Sequence, residues 1–235
     1  MNKNFSEIYT SGEYHEKHPT WHVEDSPWKA QQILKMMQRN NLNPETVCEV
    51  GCGAGEILRQ LQLNMGNMCK FYGYDISPHA IEICQEKANE NLIFYLKDIT
   101  QEKDISYDVI LLIDILEHLE NYLLFLRNIK SLSQYKIIHF PLDICVQNIL
   151  RRNQLLIIRE QSGHIHYFTK ELALQTLKDT GYELMDYFYT PAFELPASSI
   201  KNFLARRFPQ KILYALNKDL AAQIMGWYPL LVLAR

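Results

Sequence analysis

The stretch Val47-Cys48-Glu49-Val50-Gly51-Cys52-Gly53-Ala54-Gly55-Glu56-Ile57-Leu58 restricts the fold of this chain more than any other. It predicts a buried strand that turns into a helix through three glycines at alternate positions. Glycine lets the backbone turn sharply there and come close to a ligand, because a Cβ would meet whatever lies across the turn. The helix that follows aims its amide-rich N-terminus at the same place. A dinucleotide site would show Gly-x-Gly-x-x-Gly, whereas here the spacing is Gly-x-Gly-x-Gly preceded by Glu49.

Three more strands follow, and each ends in an acid. Phe71 to Asp75 runs into Ile76-Ser77, Leu92 to Asp98 into Ile99, and Tyr107 to Asp114 into Leu116-Glu117-His118-Leu119-Glu120-Asn121. In an open parallel sheet the crevice beyond the carboxyl ends of the strands is where ligands bind. In order and spacing, these four segments, about residues 45–125, resemble the motifs of the class I S-adenosylmethionine (SAM)-dependent methyltransferases of the small-molecule type.

The resemblance implies SAM as cofactor and S-adenosylhomocysteine (SAH) as product. Carried over residue by residue, Glu49, Gly51, Cys52, Gly53 and Gly55 shape the methionine end of the site, with Cys52 fitting as a small residue in the turn. Asp75 takes the ribose hydroxyls, Ile76 lies against the adenine, and Asp98 with Ile99 meets the adenine amino group. Asp114 closes the fourth strand beside the cofactor.

The remaining chain alternates helix and strand, the pattern of a parallel sheet covered on both faces. Ser26-Pro27-Trp28 predicts a helix start, with Ser as cap and Pro in the first turn, and Ser77-Pro78 another. The helix after Glu117 puts Leu119, Leu123, Leu126 and Ile129 on one face, and Tyr135 to Phe140 is a fifth strand stopped by Pro141. Residues 142–165 break the alternation. A helix from Lys170 to Thr180 closes on Gly181 in the left-handed role, a sixth strand spans residues 182–190 and a last one 227–234. By resemblance the sheet is Rossmann-like and seven-stranded, with the last strand antiparallel between the fifth and sixth.

The expected organisation is one α/β domain over residues 1–235, with an N-terminal cap and helix over 1–43 and a helical insertion over 191–226. The cap is rich in aromatics: Tyr9, Tyr14, His15, His18, Trp21, His22 and Trp28. It either closes over the cleft or serves as a structural cap. Within the insertion, Lys201, Arg206, Arg207, Lys211 and Lys218 interleave with Phe203, Leu204, Phe208, Ile212, Leu213 and Leu216. That pattern suits a lid over the acceptor pocket, or docking of 197–220 on a membrane surface.

A net charge of −3 provides no global field for nucleic acid, so none is expected as a partner. Five cysteines (Cys48, Cys52, Cys69, Cys84, Cys145) without a Cys-x-x-Cys pair suit reduced thiols in a cytoplasm. The first residues lack an apolar signal core, and the apolar runs are interrupted by Asp114 and Glu117, so no membrane span is expected.

For the chemistry, His118, His139, His164, His166 and Asp143 are the candidate bases, and His118 and His166 are the choices made from sequence. The leading expectation is O-methylation of a small molecule or sugar. The alternatives are a SAM/SAH-binding module without chemistry and an RNA methyltransferase. Asp114-Ile115-Leu116-Glu117-His118 with His166 also resembles the acid-x-x-Glu-His motif of metal-assisted methyltransferases, in which a divalent ion holds two neighbouring hydroxyls. Asp114 stands where that pattern has Glu, and Glu117-His118 also occurs in members without a metal. A metal is therefore not expected, and no ligand is assigned.

Overall fold

The computed structural model describes residues 7–21, 23–195 and 208–235. Among them seven strands form one sheet: β1 (Thr46–Val50), β2 (Lys70–Asp75), β3 (Leu92–Leu96), β4 (Tyr107–Ile113), β5 (Ser133–Phe140), β6 (Leu184–Tyr189) and β7 (Leu230–Ala234). Their order is β3-β2-β1-β4-β5-β7-β6. β1 pairs in parallel with β2 and β4, and β7 lies antiparallel between β5 and β6, as the resemblance implied. The order reverses between β1 and β4, so a crevice opens beyond their carboxyl ends, where the glycine turn begins.

The sheet is buried on both faces. On one, Ala30, Ile33, Met36 and Met37 of the helix Ser26–Arg39 pack with Leu58 and Leu61 of Glu56–Met65 and with Ile81 and Cys84 of Pro78–Gln85. On the other, Leu126 and Ile129 of Tyr122–Ile129 meet Ala173 and Leu177 of Lys170–Asp179, with Ala221 and Ala222 of Lys218–Met225. Each fully buried Leu or Ile contributes on the order of 1.5–3 kcal/mol relative to exposure.

Several boundaries differ from the sequence reading, each for a local reason. Asp25, not Ser26, is the cap of the first long helix, and Ser26 is already helical and buried. Leu116–His118 forms a 3-10 turn, and the next helix waits until Asn121, whose side chain accepts from the Leu124 amide. Leu119 therefore lies before the helix. The last strand begins at Leu230 rather than at residue 227, because Trp227 takes a left-handed φ of 65° and Pro229 follows. Residues 142–165 hold two short helices, Val146–Leu150 and Gln154–Ser162.

The insertion contains a 3-10 turn at Ala192–Glu194 and the helices Phe208–Leu216 and Lys218–Met225. Lys201, Phe203, Leu204, Arg206 and Arg207, with His22 of the aromatic segment, lie outside the described residues. No helix among the described residues is long and apolar enough to cross a membrane.

Candidate active site

A cavity of about 870 Å³ opens at the carboxyl ends of the central strands, and the glycine turn forms its floor. The Gly51 and Cys52 amides both donate to the Tyr74 carbonyl, at 2.8 and 3.1 Å, which folds the turn back over β2. Gly51, Gly53 and Gly55 all have positive φ, of 69°, 52° and 71°. A Cβ on Gly51 would come 2.7 Å from Ile115 Cδ1, and one on Gly55 would come 2.6 Å from the Phe94 ring. Gly51, Cys52 and Gly53 line the cavity. Gly55 is not part of the lining, and its place is to let Phe94 pack beneath the turn.

Asp75 is buried and clamps the turn: Oδ2 accepts from the Gly53 amide at 2.9 Å and Oδ1 from Ser77 at 2.8 Å. Burial raises its carboxyl above the ordinary range, opposed by these amides. Glu49 is buried with Oε2 unbonded among the described residues, and burial pushes its carboxyl well above the usual range. The Cys52 thiol, bonded toward Cys84 and buried, is also pushed well up, so it packs rather than reacts. Ile76, Asp98 and Ile99 line the wall beyond β2 and β3, and Asp98 Oδ1 accepts from the Thr100 amide and hydroxyl at 2.9 and 2.8 Å.

Asp114 sits between Lys29 and His139 at the end of β4, in a left-handed conformation with φ 52°. Its Oδ2 is 2.8 Å from Lys29 Nζ and its Oδ1 2.5 Å from His139 Nδ1. Burial opposes its charge, but His139 and Lys29 hold the carboxyl well below the carboxylate range. His139 bonds Thr190 Oγ1 at 2.8 Å through its other nitrogen, so both ring nitrogens are committed. Lys29 was not singled out from sequence. Its helical spacing marks it as a polar residue on a mixed helix face, and only the packing of that helix against Glu56–Met65 and β7 turns it inward.

At the far end stands Glu117, fully buried, with no hydrogen bond to either carboxylate oxygen among the described residues. Burial, then Asp114 and Asp143, push its carboxyl well above the ordinary range. Its Oε1 lies 3.8 Å from His118 Nε2 and 3.9 Å from His164 Nε2. His118 Nδ1 is 3.1 Å from the Gly163 carbonyl, and His164 Nδ1 is 2.7 Å from Asp143 Oδ2. Ligand atoms of Glu117, His118 and His164 all lie within 4.8 Å of one another. A carboxylate and two imidazoles so arranged, with the carboxylate short of partners, suit a divalent cation.

His166, chosen from sequence, does not line this cavity. Its ring packs on Tyr122 at 4.7 Å and Nε2 is 3.3 Å from the Glu120 carbonyl. The Ile165 and His166 amides both donate to the Glu117 carbonyl, at 2.8 and 3.1 Å, which pins the segment so that the His164 ring enters instead. The pairing of Asp143 with His164 gives no signal in the chain order, since 21 residues separate them.

The N-terminal segment forms the remaining wall. Tyr9, Tyr14 and Trp21 line the cavity, with Trp21 ring carbon Cε3 3.5 Å from where a Gly53 Cβ would stand. Trp21 Nε1 donates to His15 Nδ1 at 3.1 Å, and His18 Nε2 is 2.9 Å from the Gln161 carbonyl of the opposite wall. The segment thus spans the mouth. No residue of the helices between 208 and 225 lines the cavity; of the insertion, Ala192 and Leu195 do.

A family model described as a methyltransferase domain matches residues 23–187. Pavine N-methyltransferase of Thalictrum flavum subsp. glaucum is 32% identical over 98 residues, 39% of this chain and 27% of that protein. The chain thus spans about a quarter of such a relative's own length. Among solved structures, the N-methyltransferase NodS from Bradyrhizobium japonicum WM9 in complex with SAH superposes with a TM-score of 0.62 at 16% identity, covering 99% of this chain and 98% of that one. The magnesium protoporphyrin IX methyltransferase ChlM from Synechocystis PCC 6803 with bound SAH gives 0.60 at 18% identity, covering 88% and 82%. The chain belongs to the methyltransferase-domain family, the class I SAM-dependent methyltransferases.

Proposed function

We propose that the protein transfers the methyl group of SAM to a small molecule in the cytoplasm, the whole chain acting as one domain. The observation that carries this reading is the continuity of one cavity from the glycine turn and Asp75 to Glu117, His118 and His164. SAM is already activated at its sulfonium, so the protein has to align a nucleophile with the methyl and handle its proton. Glu49, Gly51, Cys52 and Gly53 would hold the methionine end, Asp75 the ribose, and Ile76, Asp98 and Ile99 the adenine. Asp114, already engaged by Lys29 and His139, would orient Lys29 toward the cofactor.

His118 and His164 are the groups proposed to meet the acceptor, with Asp143 orienting His164. Two imidazoles facing the cavity suit an acceptor that must lose a proton, and hydroxyl oxygen of a small molecule or sugar is the reading preferred here. Nitrogen is the second, supported by similarity to proteins named as N-methyltransferases. A divalent ion on Glu117, His118 and His164 would serve the hydroxyl reading by lowering the acceptor's pKa.

Turnover of tritiated SAM against a panel of phenols, catechols, sugars and cyclic amines tests this. Hydroxyl acceptors should be labelled, with kcat reduced about 100-fold in His164→Ala. Loss of turnover in EDTA, restored by Mg²⁺ or Mn²⁺, would identify the metal-assisted form. Labelling of amines alone would transfer the assignment to nitrogen.

A further inference from the structure

The stretch that breaks the strand-helix alternation has an outer face that the reaction does not use. The helix Gln154–Ser162 buries none of its residues, and Val146–Leu150 buries only Asn148. Ile149 is 62% exposed and Leu150 80%, with Leu156 and Ile157 exposed on the second helix. Between the two helices lie exposed Arg151 and Arg152. Residues 146–162 carry three arginines against a single acid, Glu160, in a chain that is acidic overall. Neighbouring Trp227 is 62% exposed at the cavity's edge, and Arg151, Gln154 and Ile158 belong to both this segment and the cavity lining.

We infer that this face docks on an anionic lipid surface, with Ile149, Leu150, Leu156 and Ile157 entering the headgroup boundary and Arg151 and Arg152 meeting lipid phosphates. Neither core cluster includes these four aliphatic side chains, and the apolar area they leave in water is covered only against another apolar phase. The charge around them is complementary to anionic headgroups, each arginine near such a surface contributing a several-fold gain in binding. Leu150 projects from the end of the helix Val146–Leu150, 80% exposed, and lines no groove, which suits insertion between lipids better than capture of a peptide. Docked this way, the cavity edge formed by Arg151, Gln154 and Trp227 lies at the lipid surface.

Co-sedimentation of the full chain with vesicles of phosphatidylcholine alone, and of equimolar phosphatidylcholine and phosphatidylglycerol, tests this without reference to turnover. Binding to the anionic vesicles is expected, weakened roughly tenfold by Leu150→Asp and several-fold by Arg152→Glu, with SAH binding by calorimetry unchanged in both. No sedimentation with either vesicle would overturn the inference. Equal binding to neutral vesicles, or binding indifferent to both substitutions, would do the same. A dimer in size-exclusion chromatography that Leu150→Asp dissolves would assign the face to a second copy of the chain instead.

Discussion

Gly55 and Lys136 show how single positions carry the fold beneath the site. Gly55 combines a φ of 71° with a Phe94 ring where a Cβ would stand, so Gly55→Ala adds backbone strain to overpacking. A loss of about 2–4 kcal/mol is expected in urea unfolding. Lys136 is buried on β5, with Nζ donating to the Lys130 carbonyl and, at 2.6 Å, to Ser133. Burial lowers its pKa from the ordinary 10.5 to about 8. Between those values the unfolded chain binds the proton that the folded one has released. Stability from this group therefore rises with pH from about 8 to 10.5, and below 8 its penalty is fully present. Lys136→Met should remove that slope from urea midpoints measured across the interval. An unchanged slope would mean that the two carbonyls hold the ammonium charged throughout.

Among the elements, the segment before the first long helix spans the cavity mouth through Trp21 at the glycine turn and His18 on Gln161. It buries little core and is tied down by aromatic and polar contacts, which are cheap to open. Removing residues 1–21 should therefore leave the urea midpoint nearly unchanged while weakening SAH binding roughly tenfold by calorimetry. A large fall in stability would make the segment part of the core. This element also marks where the sequence ceased to be legible. The strands and the glycine turn could be read because a buried strand must be a continuous apolar run and a left-handed turn beside a ligand must be glycine. The closing segment has no such repeat, so its aromatic content left closure over the cleft and a structural cap equally open. The order of β5, β7 and β6 came from family resemblance, since pairing between strands some ninety residues apart leaves no periodic trace.

At the scale of the whole molecule, the sequence named most residues at the end of the cavity lined by the glycine turn and Asp75, and at the other end it named His118 but took His166 where His164 stands. Glu49, Asp75, Asp98 and Asp114 each lie within two residues of a strand's carboxyl end, and strand ends are fixed by the sheet's own register. The end proposed to meet the acceptor is assembled from a 3-10 turn and an irregular segment, Glu117 and His118 from one and His164 from the other. Choosing between His164 and His166 required the pair of amides that pins this segment to the Glu117 carbonyl. The proposed function rests on the two ends sharing one space, where a methyl held from the glycine turn would face the Glu117 cluster.

Calorimetric titration with SAH of the wild type, Asp75→Ala and His164→Ala tests that account most directly. The wild type should bind one equivalent. Asp75→Ala should lose about 1.5–3 kcal/mol, roughly ten- to hundredfold in Kd, because it removes both the proposed ribose acceptor and the clamp on the Gly53 amide. His164→Ala should bind as the wild type does, since its ring lies at the other end of the cavity. Wild-type binding that Asp75→Ala leaves unchanged, or that His164→Ala abolishes, would contradict the assignment of the two ends.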